Sequence, residues 1–186
     1  LRISPEVIGI LIGAAVVMWI ITSFNGLVAL RARVQTAWGQ IDVQLKRRHD
    51  LIPNLVEAVR GYMQHEHATL EAVTQARAQA IAAGGNVEQR SAAEAVLRAT
   101  IGRLFATAEN YPQLRAAENV QILQEQIAST ENRIAYARQF YNDEVMKYNM
   151  ALATFPRNLL AGRFGFSPSA MFTAEESDRA NVQVKM

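Results

Sequence analysis

The feature that most constrains this chain is the stretch from Val7 to Leu30, VIGILIGAAVVMWIITSFNGLVAL, which holds no formal charge between Glu6 and Arg31. A helix needs about 20 mostly apolar residues to cross a bilayer core. In water, a helix that is apolar on every side must be buried by a large protein, and little else in this chain could wrap it. A signal peptide would have a shorter apolar core and a small-x-small cleavage site before a polar mature start. The sequence therefore predicts a membrane span. Trp19 stands in its later part, where indole can approach the headgroup zone. Gly9 and Gly13 form a G-x-x-x-G pair, with Ala14 and Ala15 beside them, which lets two helix backbones approach closely and predicts self-association within lipid.

The flanks suggest an orientation. Arg2 and Glu6 precede the span, whereas Arg31 and Arg33 follow it closely and Lys46, Arg47 and Arg48 stand further on. Positive residues near a span tend to stay in the cytoplasm, so a short N-terminus outside and a cytoplasmic soluble domain are expected, in a bacterial inner membrane. Arg31 and Arg33 are placed to meet headgroups. The remainder of the 186 residues is long enough for one domain with its own core. A net charge of only +2 does not indicate a nucleic-acid binder, and the absence of cysteine excludes disulfides and thiolate chemistry. The numbering begins at Leu1 rather than methionine, which leaves a trimmed or processed start open.

After the span the apolar pattern becomes periodic. Val34, Trp38, Ile41, Leu45, Ile52, Leu55, Val59 and Tyr62 recur as on one helix face. Pro53 either opens a new helix capped by Asp50 or sits in a continuing, kinked helix whose His49 carbonyl loses its partner. The apolar phase is unbroken across Pro53, which favours the kink. A continuing helix would project outward and is expected to leave the C-terminal tail far from the bilayer. Gly84-Gly85-Asn86 predicts a helix stop and a fresh cap, and Pro112 predicts an end to the following helix near Asn110. Val120, Ile127, Ile134, Tyr141, Tyr148 and Phe155 then repeat every seventh residue, predicting one long helix packed along its neighbours. Thr130 and Glu144 break a second seam.

Past Pro156, FPRNLLAGRFGFSPSAMF mixes apolar residues with glycine, proline and two arginines, without periodicity. Phe155, Phe164, Phe166 and Phe172 are expected to dock on protein, the alternative being an interfacial segment with Arg157 and Arg163 toward anionic lipid. The run from Thr173 to Met186 is polar and expected to be loosely ordered. The fold class expected is all-α: one transmembrane helix, an antiparallel bundle of three to four long helices, and a short irregular tail. The expected divisions are residues 1–30, 31–155 and 156–186.

No catalytic constellation stands out. His65-Glu66-His67 is not H-E-x-x-H, whose histidines share one helix face, and reads as a solvated face. His49 has no third partner in sequence. A di-metal helical site would need Glu-x-x-His on two helices, and that spacing does not occur. No metal or cofactor is therefore expected, and no enzyme activity.

Two stretches carry a resemblance. WGQIDVQLKRRHDLIPNLVEAVRGYMQHE, from Trp38 to Glu66, and TENRIAYARQFYNDEVMKYN, from Thr130 to Asn149, followed by FPRNLLAGRFGF, are similar to the signature segments of the LemA family of bacterial membrane proteins. The resemblance covers essentially the whole chain. It implies an all-helical bundle on one N-terminal membrane helix, commonly N-out, and no established enzyme activity. It also marks Asp42, Arg48, Asp50, Pro53, Asn54, Glu57, Glu131, Arg133, Tyr136, Arg138, Tyr141 and Asn142 as motif residues. Their polar members lie beside apolar seams, which suggests buried or inter-subunit hydrogen-bond networks that fix register. Three functions follow: a self-associating scaffold that organises or shapes the membrane, an adaptor for a membrane protease or envelope-stress partner, and a sensor with a ligand between its helices. The scaffold is preferred; its partners would be the bilayer and further copies of itself.

Overall fold

The computed structural model describes residues 4–172; Arg2 and the polar run from Thr173 lie outside them. It is all-helical, with no strand among the described residues. In chain order the helices are α1 (Pro5–Arg60), α2 (His67–Ala82), α3 (Val87–Ala108), α4 (Pro112–Arg115), α5 (Glu118–Ala153) and α6 (Asn158–Ala161). The residues form two compact units. One joins the described part of Leu1–Trp38 to Phe140–Ser169; the other joins Gly39–Gln139 to the described part of Ala170–Met186.

In the second unit, α1 continues through Pro53. Proline has no N–H, so the His49 carbonyl one turn earlier cannot make its helical bond. Arg77 of α2 replaces that donor, with Nε 2.7 Å from His49 O. Ile41, Leu45, Ile52, Leu55 and Val59 are all buried, as the unbroken apolar phase requires. Tyr62, expected on the same seam, is exposed because α1 ends at Arg60; Met63 is buried instead.

The α2–α3 connection follows its residues closely. Gly85 takes φ +90°, a conformation that a Cβ would oppose. Asn86 Oδ1 then accepts from the Glu88 N–H at 2.9 Å, capping α3. Leu70, Val73, Ala76 and Ala80 of α2 join Leu97, Ile101, Leu104 and Ala108 of α3 in the core, with Val120 and Ile127 of α5.

In the first unit α1 and α5 run antiparallel. Trp38 packs on Tyr141 with ring centroids 5.4 Å apart, and Phe24 lies 5.2 Å from Phe164 and 5.6 Å from Phe166. Leu27, Val34 and Ala37 of α1 are buried in this unit, as are Val145, Tyr148 and Leu152 of α5. Two expectations are corrected here. Phe155 does not continue the heptad seam: α5 stops at Ala153, and the ring is 74% exposed. A continuing α1 does not leave the tail remote from the span either, because α5 returns along α1 and delivers Phe164 and Phe166 to Phe24, inside the apolar run.

Candidate functional site

The most concentrated chemistry in the second unit surrounds Arg48. Its residue falls on the apolar face of α1, so a guanidinium that would ordinarily reach water is only 1% exposed. Burial of a charge is tolerated only when partners satisfy it. Nη1 donates to Glu131 Oε1 at 2.6 Å, and Nη2 pairs with the carboxylate of Glu94. Glu94 also approaches His49, with Nε2 and Oε1 3.0 Å apart. Three helices are thereby tied together by one cluster: α1 through Arg48 and His49, α3 through Glu94, and α5 through Glu131. Desolvation alone would raise the Glu94 carboxyl. The close approach of His49 and the guanidinium of Arg48 outweigh it and hold the group below the usual carboxylate range.

Beside this cluster is a cavity of about 40 Å³, walled by Leu45, Ser91, Arg98, Arg138 and Phe172 among others. Pockets for organic ligands usually measure about 300 Å³ or more, so this one suits a register-fixing network better than a sensor's ligand site.

The other motif residues divide by position. Asp42 accepts from Arg90 of α3 at an exposed site. Asp50, Asn54, Arg133 and Tyr136 are exposed, as is Glu57, which meets Arg60 one turn later at 3.3 Å. Arg138 is half-buried at the cavity wall. Asn142 is half-buried in the first unit, where Tyr141 is buried against Trp38 and burial pushes its phenol pKa up. Glu94 and the partnership of His49 were missed by sequence reasoning. Glu94 lies in an alanine-rich helix whose neighbours give it no distinguishing pattern. Glu66, within His65-Glu66-His67, accepts from the Tyr111 hydroxyl at 3.2 Å, while both histidines are exposed.

The span presents a different surface. Ile10, Leu11, Ile12, Val16, Val17, Met18 and Ile21 are all exposed. A Cβ built on Gly9 or Gly13 would meet nothing within 4 Å, so their face of α1 is open. Trp19 is half-buried, and Arg31 and Arg33 are exposed. Of the tail aromatics, Phe155 is free of cover, Phe164 and Phe166 pack on Phe24, and Phe172 is buried in the second unit.

The profile of the LemA family matches residues 37–186. "Magnetosome protein MamQ 2" of Paramagnetospirillum magneticum is 24% identical over 191 residues, covering 89% of this chain and 70% of that protein. "Protein LemA" of Metamycoplasma hominis is 26% identical over 162 residues, covering 85% of this chain and 72% of its own length. "Magnetosome protein MamQ" of Magnetospirillum gryphiswaldense is 23% identical over 184 residues, covering 86% of this chain and 68% of that protein. Neither printed name denotes an enzyme, and together with the apolar N-terminal helix these relatives indicate membrane association.

Proposed function

The chain belongs to the LemA family, and on that premise we propose that it is a non-enzymatic, membrane-anchored scaffold that self-associates and organises or shapes the bacterial membrane. The observation that carries this reading is the uncovered opening of α1, where every residue from Pro5 to Met18 is exposed. Its large apolar side chains are exposed around the helix, and a Cβ at Gly9 or Gly13 would meet nothing within 4 Å among the described residues. Lipid satisfies the apolar side chains, and a second copy of the same face suits the small-residue stripe. Arg31 and Arg33, exposed just beyond the run, support a bundle on the cytoplasmic side of the inner membrane with the N-terminus outside.

The test is the mass of the protein in detergent, by light scattering corrected for bound detergent, beside a Gly9→Leu/Gly13→Leu variant. A large, uniform assembly that shrinks in the variant is expected. A strict monomer at high protein concentration would sink the scaffold reading. An unchanged assembly would keep self-association but move its contacts out of the span.

One observation favours an adaptor as the second reading. Tyr136 is 75% exposed, with Arg133 exposed one turn earlier, so this motif surface is open to a partner. A defined heteromeric cross-link that disappears in Tyr136→Ala would support it.

A further inference from the structure

Within the first unit, an open groove of about 650 Å³ passes Trp19, Thr22, Lys147, Thr154, Phe155 and Arg157. One wall belongs to the apolar run of α1, and the adjoining Met18 and Ile21 are exposed, so that side opens toward acyl chains if α1 spans the bilayer. The opposite rim is basic. Lys147 is already engaged, its Nζ 2.6 Å from Glu144 Oε1. Arg157 has no side-chain partner among the described residues.

The guanidinium of Arg157 lies over Gly26, with Nη2 3.8 Å from the place a Cβ there would occupy. From Val7 to Gly26 a helix rises by about 29 Å at about 1.5 Å per residue, close to the roughly 30 Å of a hydrocarbon core. If α1 spans the bilayer, Gly26 lies at the inner edge of the hydrocarbon core and the Arg157 guanidinium over it is next to the phosphate layer on the bundle side. A planar guanidinium with free donors matches a phosphate bidentately. With Lys147 balanced by Glu144, Arg157 leaves the groove one positive charge, and Arg31, whose charge reaches Tyr148 beside Lys147, adds to the local field. These charges favour a headgroup with net negative charge over a zwitterionic one.

We infer that this groove holds an anionic phospholipid, its phosphate on Arg157 and an acyl chain beside Met18 and Ile21. The inference rests on the membrane-anchored reading above and names the lipid class that the anchor would select.

The experiment uses the full chain in nanodiscs of mixed phosphatidylglycerol and phosphatidylcholine, followed by native mass spectrometry of the lipid kept on release. Wild type and Arg163→Gln, a charge-matched control outside the groove, should retain phosphatidylglycerol. Arg157→Gln should retain about fivefold less. Equal retention by Arg157→Gln, or retention of phosphatidylcholine as strong as that of phosphatidylglycerol, would overturn the site. Inorganic phosphate found on the released protein in place of lipid would also overturn it, because the occupant would then be a free anion. Failure of the chain to enter nanodiscs would speak against the span itself, and so is distinguishable from failure of the groove.

Discussion

Two stretches of the same helix carry aliphatic residues and give them opposite fates. Around Ile10 the side chains are open on all sides, and Ile10 itself is 71% exposed. Around Ile41 they form one stripe, and Ile41 is 0% exposed. Burial of one such side chain is worth about 1.5–3 kcal/mol, so an uncovered run of this kind is untenable in water. The difference lies in composition as well as periodicity: the early stretch holds no formal charge, whereas Asp42, Lys46, Arg47 and Arg48 share the later one with its apolar stripe. Residues spaced by 3, 4 or 7 aim at a protein neighbour, whereas consecutive ones such as Ile10, Leu11 and Ile12 aim at solvent on every side, which must then be apolar. α1 reads as an anchor in one stretch and a bundle member in the other.

The largest effect that would sharpen this contrast is expected at Arg48. Arg48→Met leaves Glu94 and Glu131 without their cation, one of them fully buried, and should cost about 3–5 kcal/mol of bundle stability by thermal or denaturant melting in detergent. Replacing all three together, Arg48→Met with Glu94→Leu and Glu131→Leu, should recover most of that loss, because buried ion clusters often exchange for apolar packing at little cost. If the single variant melts like wild type, the cluster does not fix register and the bundle stretch is held by its aliphatic residues alone.

A matched pair tests the two stretches directly. Ile41→Ala should destabilise by about 2–5 kcal/mol, since it opens a cavity in a packed seam. Ile10→Ala should change melting by no more than about 0.5 kcal/mol, because the side chain is mostly exposed. Similar losses from both would mean that the early stretch is covered by protein, for instance by another copy of itself.

A smaller effect should follow acidification. The Glu94 carboxyl is held below the ordinary glutamate value it has in the unfolded chain. Its stabilisation is therefore complete above that pH and is lost as pH falls through the lower folded value. Glu94→Gln should remove this part of the pH–melting profile; an unchanged acid slope would assign the loss to other carboxylates.

How much of this was legible follows the same division. The long apolar N-terminal helix, the continuation past Pro53 and the stop at Gly84-Gly85-Asn86 were all readable, because each depends on neighbours in sequence. Val120, Ile127 and Ile134 likewise announced a seam on α5. Periodicity says that a face is covered but not by which element. Hence Glu94, 46 positions from Arg48, was not recognised as its partner, and Arg77 could not be foreseen as the donor to the carbonyl that Pro53 frees. The tail was misplaced for the same reason: its route depends on the direction in which α5 returns. Phe155 fits the heptad by number but stands two positions past the last residue of α5, where there is no helix left to aim it.

The smallest effect concerns that tail and sets a limit on the contrast. Asn149 Nδ2 donates to Ser169 O at 2.9 Å, and the Ser169 N–H donates back to Asn149 Oδ1 at 2.9 Å, so one side chain closes the tail onto the helix it left. Gly165, at φ +71°, helps turn the chain within that closed segment. Asn149→Ala removes both bonds and should cost about 1–3 kcal/mol, released locally as a loosened tail rather than as unfolding of the bundle. Limited trypsin digestion should then cut faster at Arg163 while melting of the bundle stays within about 0.5 kcal/mol of wild type. Asn149→Asp keeps the acceptor for the Ser169 N–H but loses the donor, and should fall between the two. A drop in bundle melting as large as that of Arg48→Met would show that tail closure and core packing form one cooperative system. The anchor stretch and the bundle stretch of α1 would then have to be treated as parts of a single folding unit.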